Sequence, residues 1–79
     1  MKAKVIITLK NGVLDPQGKA IEGALAGLGF TGVDNVRQGK FIELDIDAAT
    51  ADDARTRVEA MCEKLLSNTV IENYRVEVE

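Results

Sequence analysis

The stretch Asn11-Gly12-Val13-Leu14-Asp15-Pro16-Gln17-Gly18-Lys19-Ala20-Ile21 decides how the first strand of this chain hands over to its first helix. Asn11-Gly12 turns the chain. Asp15 suits an N-cap, because its carboxylate can accept from the free backbone N–H groups of the next turn. Pro16 suits the first helical position, where no N–H is needed. Gly18, one turn in, costs a helix roughly 1 kcal/mol relative to alanine, which makes sense where another backbone must come close. A well-made turn and cap account for the stretch. The sharper alternative is a contact site for a partner or an anion at a helix N-terminus.

Working outward, Lys2 to Lys10 reads as a strand with Ala3, Val5, Ile7 and Leu9 on one face. Pro16 to Leu28 reads as a helix whose Ala20, Ile21, Ala24, Leu25 and Leu28 form one apolar stripe. Gly29 is placed for the C′ position that ends it. Val33 to Gln38 is expected to be a short polar strand, and Gly39 a turn. Lys40 to Asp47 alternates strictly, with Ile42, Leu44 and Ile46 to one side and Glu43, Asp45 and Asp47 to the other. Thr50-Ala51-Asp52-Asp53 resembles a capping box with Asp in place of Glu. The helix it opens runs to about Leu66, with Ala54, Val58, Met61, Cys62, Leu65 and Leu66 inward. Val70 to Val78 is the last strand, with Tyr74, Val76 and Val78 on one face. The order β-α-β-β-α-β predicts an α+β, ferredoxin-like split βαβ sandwich: an antiparallel sheet with two helices on one face.

Length and composition narrow the possibilities. Seventy-nine residues of net charge -3 are expected to form a single domain over 1–79. A chain of this size buries only about 60–65% of its unfolded surface, and oligomerisation is a common remedy. Open sheet edges point the same way, so protomers are expected to pair into a symmetric homodimer or a dimer of dimers. Mild acidity argues against a nucleic-acid partner, which selects clustered Lys and Arg. The first residues do not form a signal peptide, and no apolar run approaches the ~18 residues of a membrane span. A cytoplasmic location is expected, and the lone Cys62 fits a reducing compartment.

Little in the chain supports catalysis. Histidine is absent, which removes the usual general base and the commonest zinc ligand. Cys62 lies on the apolar stripe of the second helix, where a small buried hydrophobe is the plain reading. A nucleophile would need a low-pKa, partly exposed setting. Asp45, Asp47, Asp52 and Asp53 could be taken as an acid or Mg²⁺ site, but a solvated strand face and a helix dipole account for them, and no ligand-loop spacing is present. The glycines match neither a phosphate loop nor a dinucleotide fingerprint. Arg37 and Lys40 flank a tight turn that either solubilises the chain or docks a carboxylate on a partner. These residues describe a non-catalytic α+β module.

Three segments carry a family resemblance: Gly12-Val13-Leu14-Asp15-Pro16-Gln17-Gly18-Lys19-Ala20-Ile21, Val36-Arg37-Gln38-Gly39-Lys40, and Met61-Cys62-Glu63-Lys64-Leu65-Leu66-Ser67-Asn68-Thr69-Val70-Ile71-Glu72-Asn73-Tyr74. In this order they resemble PurS, the small subunit of phosphoribosylformylglycinamidine synthase. The resemblance implies a role in the fourth step of purine synthesis. There formylglycinamide ribonucleotide, glutamine and ATP give formylglycinamidine ribonucleotide, glutamate, ADP and phosphate. A PurQ glutaminase releases ammonia and a PurL subunit performs the ATP-dependent amidation. The small subunit would bridge the two and support ammonia transfer, with no catalytic residue, metal or cofactor of its own, ATP and Mg being used by PurL.

Its partner-binding residues are expected in the two turns, at Asp15, Gln17, Gly18, Arg37, Gly39 and Lys40. Two rivals stand beside this reading, the first of them with the same element order. An ACT-like regulatory module would bind a small molecule near Asn11 to Gly18. An acylphosphatase-like enzyme needs an Arg in the loop after the first strand, and Lys10 to Gly18 contains none.

Overall fold

Alternating apolar side chains make the first strand the centre of the sheet. The computed structural model describes residues 1–79. Its elements are β1 (Lys2–Leu9), α1 (Pro16–Gly27), β2 (Lys40–Asp45), α2 (Ala51–Met61) and β3 (Glu72–Val78), with a π-helical turn (Cys62–Leu66) continuing α2. The sheet order is β2-β1-β3, and both pairings are antiparallel. Val5 stands opposite Ile42 on one side and Val76 on the other, which sets the register of the apolar face.

Ala3, Val5, Ile7, Ile46 and Val76 from the sheet side meet Ala54, Val58 and Cys62 of the second helical segment to form the core. Burying a Val or Ile side chain is worth about 1.5–3 kcal/mol. The Thr50 side chain accepts the Asp53 backbone N–H at 3.1 Å, and Asp52 and Asp53 complement the helix dipole. Arg55 donates to the Val76 carbonyl and Arg57 to that of Asp47, both at 2.6 Å, pinning α2 across the sheet.

The α+β class and the antiparallel sheet with two helices hold, but the fold is not a four-stranded sandwich. The strand expected over Val33–Gln38 does not form. Two of its backbone N–H groups are taken by side chains of α1 and its cap instead. Val36 N–H donates to Glu22 Oε1 at 3.1 Å, and Gln38 N–H to Asp15 Oδ2 at 2.7 Å. Asn35, at φ 54°, breaks the extended run.

A second correction concerns Leu65, expected inward and 83% exposed. The Ser67 N–H closes on the Cys62 carbonyl five residues back. That wider π turn rotates Leu65 out of the apolar stripe. β3 also starts two residues later than expected, because Ile71 and Glu72 N–H groups both turn back onto the Asn68 carbonyl.

The third difference is the largest: only α2 covers the sheet. α1 and the segment 33–38 run alongside each other as an arm, and the molecule measures 50 × 24 × 15 Å. The helix ends as expected in a Schellman motif at Gly29 (φ 92°), with Gly29 N–H on the Ala26 carbonyl and Phe30 N–H on that of Leu25. Its apolar stripe faces outward, leaving Leu28 74% and Ile21 40% exposed. Leu14 and Phe30 stand exposed beside it. Ile42 and Leu44 of β2 are only half-buried, because α1 does not lie over them.

Candidate functional site

The junction between arm and sheet is organised by one carboxylate. Asp15 is the N-cap of α1, and its Oδ1 accepts the Gly18 N–H at 2.9 Å. Oδ2 accepts the Gln38 N–H. The residue is 4% exposed and both oxygens are satisfied. These backbone donors, with the Arg37 charge adding to them, hold the Asp15 carboxyl below the usual carboxylate range against the opposing effect of desolvation.

Two glycines let backbones meet there. A Cβ on Gly18 would collide with the Val36 carbonyl oxygen and stand 2.8 Å from Asp15 Oδ2. A Cβ on Gly39 would collide with the Ile7 carbonyl oxygen of β1. Arg37 reaches back over the first turn, its Nη2 donating to the Lys10 carbonyl at 3.1 Å and the Val13 carbonyl at 2.9 Å. Gln38 Nε2 donates to Gln17 Oε1 at 2.8 Å, and Lys40 pairs with Glu72 of β3 at 3.4 Å.

A groove of about 460 Å³ opens between these parts, lined by Ile7, Leu9, Asp15, Pro16, Gln17, Gln38, Gly39, Lys40 and Glu72. The structure therefore brings together Asp15, Gln17, Gly39 and Lys40 on one groove. Gly18 lies buried directly beneath, and Arg37 braces the turn outside the groove. Asp15 and Gly18 are interior, so they act on the surface only through their neighbours. Glu22 and Glu72 were not legible as site residues. Their partners, Val36 N–H and Lys40, lie 14 and 32 positions away in the numbering, and no local motif announces such pairs.

Cys62 is fully buried, and desolvation, reinforced by the charges of Glu59 and Glu63, pushes its thiol up. Asp45, Asp47, Asp52 and Asp53 are all exposed. No group of three or more His, Cys, Asp or Glu side chains is placed to hold a metal ion. No helix is long and apolar enough to cross a membrane.

Fold and site together define a small α+β protein whose apolar helical arm is clamped to one end of an antiparallel sheet. The family model for PurS, phosphoribosylformylglycinamidine (FGAM) synthase, matches residues 2–79. The synthase subunit PurS of Bacillus subtilis is 51% identical over 78 residues, spanning 99% of this chain and 92% of that relative. Its crystal structure superposes with a TM-score of 0.86 over 99% of this chain and 96% of that one. PurS of Methanocaldococcus jannaschii, described as one of the subunits of formylglycinamide ribonucleotide amidotransferase in the purine biosynthetic pathway, gives a TM-score of 0.88 at 46% identity, covering 99% and 94% of the two chains. A chain of the Thermotoga maritima PurLQS structure gives 0.88 at 34% identity over 96% and 93%. The chain belongs to the PurS family.

Proposed function

We propose that this chain is the bridging subunit of phosphoribosylformylglycinamidine synthase, joining a PurQ glutaminase to a PurL amidating subunit and supporting ammonia transfer between them. The observation that carries this reading is the clamped arm, whose Ile21, Leu28 and Phe30 are exposed. An apolar surface held out in this way marks an interaction site. The chain acts as one domain over 1–79, in the cytoplasm, as a homodimer or dimer of dimers. ATP and Mg belong to the PurL partner.

The partner-facing surface is the groove rim, Gln17, Gly39 and Lys40, together with the N–H groups of Arg37 that its two carbonyl contacts leave over. Asp15 and Gly18 shape that rim from below. The rival ACT-like reading would place a small effector in the same groove. The Gly18 N–H that such a ligand would use at the helix N-terminus is already taken by Asp15.

Reconstitution tests the proposal. PurL and PurQ mixed with this chain should co-elute in gel filtration and form formylglycinamidine ribonucleotide from glutamine, while the isolated chain should show neither glutaminase nor synthase activity. Glutamine-dependent turnover by PurL and PurQ that is the same with and without this chain would reject it. Isothermal titration of the chain with amino acids and nucleotides would show saturable heat only under the rival reading.

A further inference from the structure

We infer that Arg37 is a positioning residue, a strut that holds the arm at one angle to the sheet so that its apolar face is pre-aimed for assembly. The inference rests on the bridging role proposed above. Only two stretches connect arm and sheet, residues 10–15 and residues 38–40. The second is held close to β1 at Gly39, where a Cβ would strike the Ile7 carbonyl. The first begins at Lys10, whose N–H donates to the Ile71 carbonyl at 2.8 Å, and continues as one turn closed by Val13 N–H on the Lys10 carbonyl, with Gly12 at φ 84°. Arg37 spans both. Its backbone lies in the second stretch's approach, and its Nη2 donates to the Lys10 and Val13 carbonyls on either side of the Asn11-Gly12 turn.

Nη2 of the planar guanidinium thus bridges the Val13 carbonyl and the Lys10 carbonyl, the latter also accepting the Val13 N–H across the turn at 3.2 Å, from a flat, pre-organised head that lysine lacks. Of the remaining ties, Glu22 to Val36 lies within the arm, while Asp15 to Gln38 and Gln17 to Gln38 clasp the two connecting stretches together at the base of the arm. They stiffen the arm and its base, but none of them reaches the Asn11-Gly12 turn, where the arm leaves the sheet. Removing the strut therefore frees the direction and leaves the arm intact. If the assembly-competent direction then falls to about a tenth of the population, apparent affinity for partners drops about tenfold.

The test measures direction itself. Spin labels at Gly27→Cys on the arm and Asp45→Cys on β2 report their separation by pulsed electron resonance, with excess unlabelled protein suppressing signals between protomers. Both sites are open, and Cys62 is buried. The parent should give one narrow distance distribution. Arg37→Ala should give a broad one while keeping the helical circular dichroism of the parent, and Arg37→Lys should lie between them. Affinity for PurL and PurQ should fall in the same order. An equally narrow distribution in Arg37→Ala overturns the strut. A broadened distribution with unchanged assembly overturns the link between arm direction and assembly. If parent and variants alike fail to assemble, the bridging role falls and the pre-aiming for assembly falls with it. The distance data then still decide whether Arg37 sets the angle.

Discussion

Asp15 Oδ2 accepts the Gln38 backbone N–H at 2.7 Å, so the carboxylate that caps α1 also anchors a segment 23 residues further along. The same side chain closes the first turn of the helix through Gly18. A capping interaction of local origin has become the tertiary tie between the two halves of the arm.

Asp15 is accordingly expected to set acid sensitivity. Its carboxyl is held below the ordinary range by the Gly18 and Gln38 donors. The stability it contributes is complete above its unfolded value, about 4, and is lost as pH falls through the lower folded value. Asp15→Asn offers one acceptor oxygen instead of two and should melt lower at neutral pH, by roughly 5 °C for a lost cap in a domain of this size. Melting curves from neutral to acid pH should converge for parent and variant. A gap that stays constant down to the lowest pH would refute the assignment.

The glycines of α1 make a matched pair. Gly23 has no atom within 4 Å of a built Cβ, so Gly23→Ala should stabilise the monomer fold by about 0.5–1 kcal/mol. Gly18→Ala drives a methyl into the Val36 carbonyl and should destabilise by about 1–3 kcal/mol. Urea melts of the two variants, moving in opposite directions, check both statements.

Cys62 should be chemically silent in the folded protein. It is fully buried and its thiol is pushed up by desolvation. Ellman's reagent should find no thiol until denaturant is added. Cys62→Ala should cost about 1–2 kcal/mol of stability and leave the activity of the reconstituted synthase at the parent level. An assembled but inactive Cys62→Ala complex would contradict this.

The outward stripe of α1 should make stability depend on concentration. If a second copy covers Ile21, Leu25 and Leu28, the melting temperature rises as protein concentration rises. Leu28, 74% exposed, tolerates Leu28→Lys in the protomer fold, and light scattering should then report a smaller species. An unchanged mass would place the covering surface elsewhere.

Strongly periodic elements were legible in the sequence. The alternation around β1 and β2, the stripe Ala54-Val58-Cys62 and the Asp15 and Thr50 caps all occupy the places their patterns predict. What escaped was non-local. Val33–Gln38 carries strand-forming residues, but its hydrogen-bond partners are Glu22 and Asp15 and not another strand. The stripe on α1 says that something covers it and does not say that the sheet of the same chain does. Leu65 follows helical spacing correctly, yet the π turn changes that spacing at Cys62. At the site, Gly18 signalled a close approach from sequence alone, whereas its neighbour Val36 was invisible. Arg37 was readable as a multi-donor group but not as one whose acceptors are Lys10 and Val13.

The central place of β1 governs how the chain is made. Lys2 pairs with Asp45 and Ala3 with Val78, so the strand of this sheet that is synthesised before the other two waits for both of its neighbours. Contacts this distant in sequence slow closure of the sheet. In the meantime Val5, Ile6 and Ile7 present an apolar strand with two unpaired edges, the feature most prone to pair with another nascent chain. The arm has no such delay, because its ties lie between Lys10 and Gln38. The assembly limb can thus be complete during translation while the sheet that carries it is still two strands short.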